Sequence, residues 1–303
     1  MLMHLLWTKS FSASALHAAN CIWKCSSQIH DENLREKLGP AADALGTCLE
    51  DLDAVHSQRL WDGLIVLSSK IQSNSALADQ LLSDFIDGFV EQVAAQRLVG
   101  AITDVEASFK LLFPKYLEQF DYRIRPLQEQ WVGYGNGFLA HLRRLTRNDA
   151  WVKEANVIGV QPILGGAGRS HCEHQSIHIE AVLTNPLAEI PEIIRLGWLV
   201  SQLYTFPFRS QLGLSPADTA HLLPIAMLVP CLASAEVLEL TKCTEANAEL
   251  SIEQWNIAVP SHRDVASDLV PMLMEWWETC LKTKPDWDVA LKALALRIGL
   301  HPN

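Results

Sequence analysis

The sequence predicts a mainly α-helical globular protein with a small antiparallel β-hairpin around residues 157–183. Apolar residues recur every three or four positions through residues 12–147 and again through 251–300, which is the spacing of amphipathic helices. Between these regions the spacing changes to alternation, which is typical of strands. A hydrophobic fraction of 49% in 303 residues is enough for a large core.

Six helices are predicted in the first half of the chain, separated by helix-breaking residues. Gly39 with Pro40, Gly100 and Pro114 mark boundaries, because glycine and proline disfavour helix interiors. The predicted helices cover residues 13–29, 40–55, 56–71, 75–99, 101–113 and 126–147.

The predicted hairpin joins residues 157–164 to residues 176–183. The first segment is rich in β-branched and aliphatic residues, and the second places Ile177 and Ile179 on one face with His178 and Glu180 on the other. Glycines between them tolerate positive φ and predict a wide loop. Residues 155–240 hold only three basic and seven acidic side chains, so this stretch should lie at the centre of the fold.

Helices follow the hairpin to the end of the chain. Residues 191–206 are apolar around most of the helix circumference, which predicts a buried helix. Residues 222–235 form the longest apolar run; it is too short for a membrane span and contains Pro224 and Pro230, which predicts a buried, bent helix. Residues 261–264 have the form of a capping box and should open a helix at 263–282.

One mostly helical domain over residues 1–303 is the expected organisation. The alternative is a division into a helical unit, 1–148, and a unit of hairpin and helices, 149–303. The single domain is favoured because the weakly charged centre needs the flanking helices as cover.

Charge and cysteine content restrict the environment and the partners. A net charge of −11 repels phosphate backbones, so no nucleic-acid partner is expected. The seven cysteines are odd in number and irregularly spaced, which predicts a reducing, cytoplasmic setting. Neither a secretory signal nor a membrane partner is expected, because Lys9 follows the first apolar run and no long apolar segment occurs.

Four residues are candidate metal ligands: His171, His174, His178 and Glu180. Imidazole and carboxylate groups suit zinc, iron and manganese, and His178 and Glu180 should project from the same side of a strand. The alternative is that His171 and His174 lie in a solvated loop, while His178 and Glu180 form the polar face of an edge strand. No HExxH motif is present.

Two further hypotheses concern the thiol of Cys172 and the adjacent tryptophans Trp276 and Trp277. Cys172 lies beside His171 and His174, and a neighbouring imidazolium could activate its thiol as a nucleophile. Trp276 and Trp277 diverge by about 100° on a helix, so one of them should lie at an interface or under another element. A homo-oligomer is one interpretation of this pair, and a large tryptophan-rich core is the other.

The run IHIEAVLTNP, residues 177–186, and IPEIIRLGWLVSQL, residues 190–203, resembles uncharacterised bacterial proteins of the planctomycete group. That resemblance implies no activity. The order of strand and helix is also similar to the centre of the zincin metalloproteases. Where zincins carry two histidines around a glutamate, this segment has Glu192, Arg195 and Trp198, so zinc hydrolysis by this helix is not implied.

Two functions from different classes are therefore expected. The first is a non-catalytic, cytoplasmic binding or interaction protein with an unidentified partner or small-molecule ligand. The alternative is a metal-dependent enzyme, hydrolytic or oxidative, in which the residues from His171 to Glu180 hold the ion and a metal-bound water reacts.

Overall fold

The computed structural model of the protein describes residues 3–86, 91–148, 152–258 and 266–301. The fold in these ranges is mainly helical, with a small mixed sheet, as the sequence predicts. The helices are α1 Phe11–Cys25, α2 Glu32–Leu52, α3 Ser57–Ser68, α4 Asn74–Phe85, α5 Gln92–Leu112, α6 Tyr116–Gln130, α7 Asn136–Thr146, α8 Glu192–Thr205, α9 Arg209–Leu212, α10 Pro216–Val237, α11 Glu245–Gln254, α12 Ala266–Thr283 and α13 Trp287–Arg297.

Helix boundaries differ from the prediction where a breaker lies inside a helix. Gly100 lies within α5 and Pro40 within α2, so neither residue ends a helix. Burial of Ile102, Val105 and Phe109 on the same face of α5 outweighs the cost of one helical glycine, which is about 1 kcal/mol. The predicted helix at 75–99 corresponds to α4 and the start of α5, and residues 87–90 between them lie outside the described residues.

A π-helical turn, Trp131–Gly135, links α6 directly to α7. Gly133 and Gly135 lie in this turn, so the helix predicted at 126–147 continues through them without a break. The capping box predicted at 261–264 lies outside the described residues, so the start of its helix is not tested. The described part of that helix, α12, begins at Ala266.

The sheet corrects the predicted hairpin. Four strands, β1 His4–Lys9, β2 Glu154–Val160, β3 Gly168–His171 and β4 Ser176–Glu180, lie in the order β1-β2-β4-β3. β2 and β4 were expected to pair as an antiparallel hairpin, but they run parallel. The antiparallel partner of β4 is instead the short β3, residues 168–171, which precedes β4 in the chain and runs in the opposite direction.

β1 has no counterpart in the sequence-based prediction. It pairs parallel with β2, whose residues lie 150 positions further along the chain, with Leu6 opposite Asn156. Six residues are too few to show a clear alternation, and local sequence carries little information on such a distant pairing. β1 therefore joins the N-terminal segment to the central sheet.

The sheet lies between two layers of helices. On one face, His17 of α1 contacts Glu180 of β4, and Asp62 of α3 pairs with Arg169 of β3. On the other face, Phe120 of α6 approaches Gly159 of β2. α8 covers the same second face, where Leu199 packs beside Gly168 of β3. β4 is consequently buried on both sides.

The apolar helices of the second half form the core around this sheet. Every residue of α8 is buried, as predicted. α10 is long and apolar enough to cross a membrane by length and composition alone, and 67% of its most apolar window is buried inside the protein. Trp276 and Trp277 are both buried, with Trp276 donating to the Ala290 carbonyl, so neither supplies an exposed contact surface.

Candidate functional site

The polar face of β4 and the adjacent face of α1 form a buried cluster of ionisable side chains. α1 begins after Ser10, whose hydroxyl accepts a hydrogen bond from the Ala13 N–H. His17 and Cys21 are four residues apart and share the helix face that lies on the sheet. His178 and Glu180 project from the same side of β4 towards them. We call these four residues and His171 the β4 cluster; all five are buried.

Glu180 is the centre of the β4 cluster, and both of its carboxylate oxygens are fully occupied. His17 Nε2 donates to Oε1 at 3.0 Å. Four backbone N–H groups of the preceding loop donate as well: Ile163 at 2.8 Å and Leu164 at 2.9 Å to Oε1, and Gly166 at 2.8 Å and Ala167 at 3.1 Å to Oε2. The Glu180 side chain therefore supplies acceptors for backbone N–H groups of the loop that would otherwise lack a hydrogen-bond partner.

The charge of Glu180 is retained in spite of complete burial. Burial by itself raises the pKa of a carboxyl group. The hydrogen bond and positive charge of His17, together with the N–H groups of Leu164 and Ile163, outweigh that effect and lower the pKa to about 2. The group is thus an anion at neutral pH, and His17 Nε2 must carry the proton because an ionised carboxylate only accepts.

The loop at 161–167 adopts a shape that depends on glycine. Gly165 has φ +84°, a conformation that side chains with a Cβ rarely adopt. Its neighbour Gly166 lies so close to the Gln254 carbonyl that a Cβ could not be accommodated. The Gly-Gly pair therefore allows the loop to wrap around Glu180 instead of forming a hairpin turn.

Arg195 of α8 supports the same loop and strand from the other side. Its guanidinium is fully buried and donates to the carbonyls of Ala167 at 2.6 Å and Glu180 at 2.8 Å. It also forms an ion pair with Glu192 one turn earlier in the helix, with Nε 3.0 Å from Oε2. Arg195 and Glu192 are therefore both engaged in structural contacts within the fold.

His171 and His178 pair with each other. His171 Nε2 lies 2.7 Å from His178 Nδ1, so one of these nitrogens donates and the other accepts. Burial lowers the pKa of both histidines well below the usual value, and neighbouring positive groups lower it further. The pair is therefore neutral at physiological pH and forms part of the packed interior.

The remaining candidates lie at the edge of this arrangement. His174 is half-buried in a 3₁₀ turn, Cys172–His174, with its ring 6.2 Å from that of Phe85. Cys172 lies 3.8 Å from the Gln202 carbonyl, and burial raises the pKa of its thiol to about 12. A thiol with that pKa is protonated at neutral pH, which argues against the nucleophile hypothesis.

The predicted metal ligands do not converge as expected. Within the described ranges, the group of three donor atoms lying within 4.8 Å of one another consists of His17, Cys21 and Glu180. Of the four predicted ligands, only Glu180 belongs to this group. The sequence pattern does not identify His17 and Cys21 as ligands, because they lie more than 150 residues before Glu180. They also belong to a helix whose apolar pattern is typical of a core helix. The signal available was the His-x-x-x-Cys spacing, which places both on one helix face.

Comparison with protein-family models, curated proteins and solved structures found no match.

Proposed function

We propose that this protein is a non-catalytic interaction protein that self-associates through the outer edge of β1. The non-catalytic part is supported by the β4 cluster, whose polar groups bond to one another and to backbone inside the fold. A carboxylate that already accepts five hydrogen bonds, and a neutral histidine pair, are typical of structural networks. All seven cysteines are free, which supports a cytoplasmic setting for this function.

The observation that carries the interaction proposal is the position of β1. In the part of the chain that the structure describes, β1 is an outer strand with β2 on one side only. His4 donates its N–H to the Lys153 carbonyl, and bonded residues alternate along a parallel pair. Leu5, Trp7 and Lys9 therefore direct their N–H and C=O groups away from the sheet, where a further strand can pair.

β1 lacks three of the features that protect edge strands. Proteins cover such edges with proline, bulges or several charged side chains. β1 has no proline, its register with β2 runs unbroken, and its single permanent charge is Lys9 at the end. Leu6 is 37% exposed at its middle.

A second copy of the chain fits this edge. With a two-fold axis at Leu6, antiparallel pairing sets Leu5 opposite Trp7 of the second copy and His4 opposite Thr8, so like charges do not meet. Residues 1–30 contain no acidic side chain, although the whole chain has a net charge of −11. The N-terminal edge is therefore a region where self-repulsion between copies is weak.

Light scattering coupled to size-exclusion chromatography tests the proposal. The full chain should have twice the monomer mass, and Leu6→Lys should convert it to a monomer, because two ammonium groups would face each other across the axis. Val55→Lys is the matched control, since Val55 is 84% exposed and lies outside β1; this variant should remain dimeric. A monomeric wild-type protein at high concentration, or a dimeric Leu6→Lys variant, would contradict the proposal.

A further inference from the structure

We propose that His17, Cys21 and Glu180 form a buried zinc site that joins α1 to β4. This site differs from the metal site expected from the sequence, since only Glu180 is shared. It does not depend on self-association through β1. Imidazole, thiolate and carboxylate are the three ligand types that zinc takes in proteins. Here the three side chains that supply them are all buried.

The spacing of the donor atoms fits tetrahedral zinc. Bonds of about 2.0 Å to nitrogen and oxygen and about 2.3 Å to sulfur put neighbouring ligand atoms about 3.3 to 3.5 Å apart. His17 Nε2 lies 3.0 Å from Glu180 Oε1 and 3.5 Å from Cys21 Sγ. All three donor atoms lie within 4.8 Å of one another, so small side-chain rotations complete the geometry.

The charge balance also favours a divalent cation. Binding releases two protons to solvent, the thiol proton of Cys21 and the Nε2 proton of His17, so that His17 binds through Nε2 as a neutral imidazole with its remaining proton on Nδ1. One thiolate and one carboxylate then neutralise the two positive charges of zinc. A buried site with zero net charge avoids the desolvation penalty that an unpaired charge would incur.

The surroundings hold Glu180 in the orientation a ligand needs. The N–H groups of Ile163 and Leu164 contact Oε1, and those of Gly166 and Ala167 contact Oε2. Zinc would take the direction now occupied by the His17 N–H, so these four bonds remain as outer-shell support. His178 Nδ1 is already paired with His171 Nε2, so a water molecule would supply the fourth ligand.

Because the site is buried, the chain must be loaded during folding. Full-length protein without a histidine tag should be refolded with zinc or cobalt(II), dialysed, and assayed for metal content by mass spectrometry. We expect one ion per chain and, for cobalt, the near-ultraviolet charge-transfer absorption of a thiolate ligand. Loss of Cys21 should weaken zinc binding more than about 100-fold, since even outer-shell changes cost 10- to 100-fold.

The matched pair of variants is Cys21→Ser and Cys25→Ser. Cys25 lies one turn further along α1, is half-buried and is not part of the three-atom group. Cys25→Ser should keep both the ion and the cobalt–thiolate band, and Cys21→Ser should lose both while far-ultraviolet circular dichroism shows an intact fold. Wild-type protein that refolds without stoichiometric metal, or that binds cobalt without a thiolate band, would overturn the proposal even if a variant failed to fold. An unchanged band in Cys21→Ser would overturn it as well.

Discussion

The two faces of β4 are equally buried but are stabilised in different ways. Ile177 and Ile179 face the layer of α6 and α8, and His178 and Glu180 face the layer of α1 and α3. None of the four is more than 4% exposed. One face consists of apolar contacts, and the other consists of hydrogen bonds among ionisable groups. An alternating strand pattern therefore does not establish that the polar face meets water.

The difference matters because the two faces tolerate change differently. Removing one methyl group from a buried apolar side chain costs only part of the stabilisation that the side chain provides. A buried hydrogen-bond network that loses one member leaves the partners unsatisfied, each at a cost of about 1 to 3 kcal/mol. The polar face of β4 should accordingly be the more sensitive one.

The largest effect should come from removing the Glu180 carboxylate. Glu180→Ala leaves His17 and four backbone N–H groups without an acceptor, two of these N–H groups being buried and two part-buried. The free energy of unfolding should therefore fall by at least about 4 kcal/mol. Ile179→Val, on the opposite face of the same strand, should cost about 1 kcal/mol. Urea denaturation followed by tryptophan fluorescence measures both. If Glu180→Ala were no more destabilising than Ile179→Val, the carboxylate would not organise the loop.

The second effect should be a loss of stability in mild acid, specific to the polar face. The pKa values of His171 and His178 are lowered by burial, so below their ordinary pKa the unfolded chain binds protons that the folded chain does not. Stability is therefore complete above about pH 6.5 and falls as the pH decreases. Each histidine should remove about 1.4 kcal/mol between about pH 7.5 and pH 5.5.

Urea denaturation at these two pH values provides the measurement, with His178→Gln and His30→Gln as the variant and its control. His30 is exposed, and its replacement should leave the pH dependence unchanged. His178→Gln should reduce it by about half, whatever its effect on absolute stability. A wild-type protein equally stable at both pH values would show that the two histidines are protonated in the fold or are accessible to water.

The helical class, the buried α8 and the central position of the weakly charged stretch all follow from residue periodicity and charge. The sheet topology does not, because β1 and β2 pair across 150 residues and periodicity reports only on local structure. His178 and Glu180 could be assigned to one side of a strand from their spacing. Their contacts with His17 and Cys21 depend on how α1 packs, and α1 has the sequence pattern of an ordinary core helix.

The smallest effect compares a glycine on the apolar face of the sheet with a glycine in open space. A Cβ on Gly159 would lie 2.6 Å from the ring of Phe120 and 3.1 Å from Ile124 Cδ1, so α6 would have to shift. Gly159→Ala should destabilise the protein by about 1 to 3 kcal/mol through overpacking. Gly100→Ala, inside α5 with no atom within 4 Å of the added Cβ, should stabilise it by about 0.5 to 1 kcal/mol, because alanine favours helix. Thermal denaturation should thus show shifts of opposite sign. A stabilising Gly159→Ala would mean that the α6 layer packs loosely on the sheet. The apolar and polar faces of the sheet would then differ in packing density as well as in polarity.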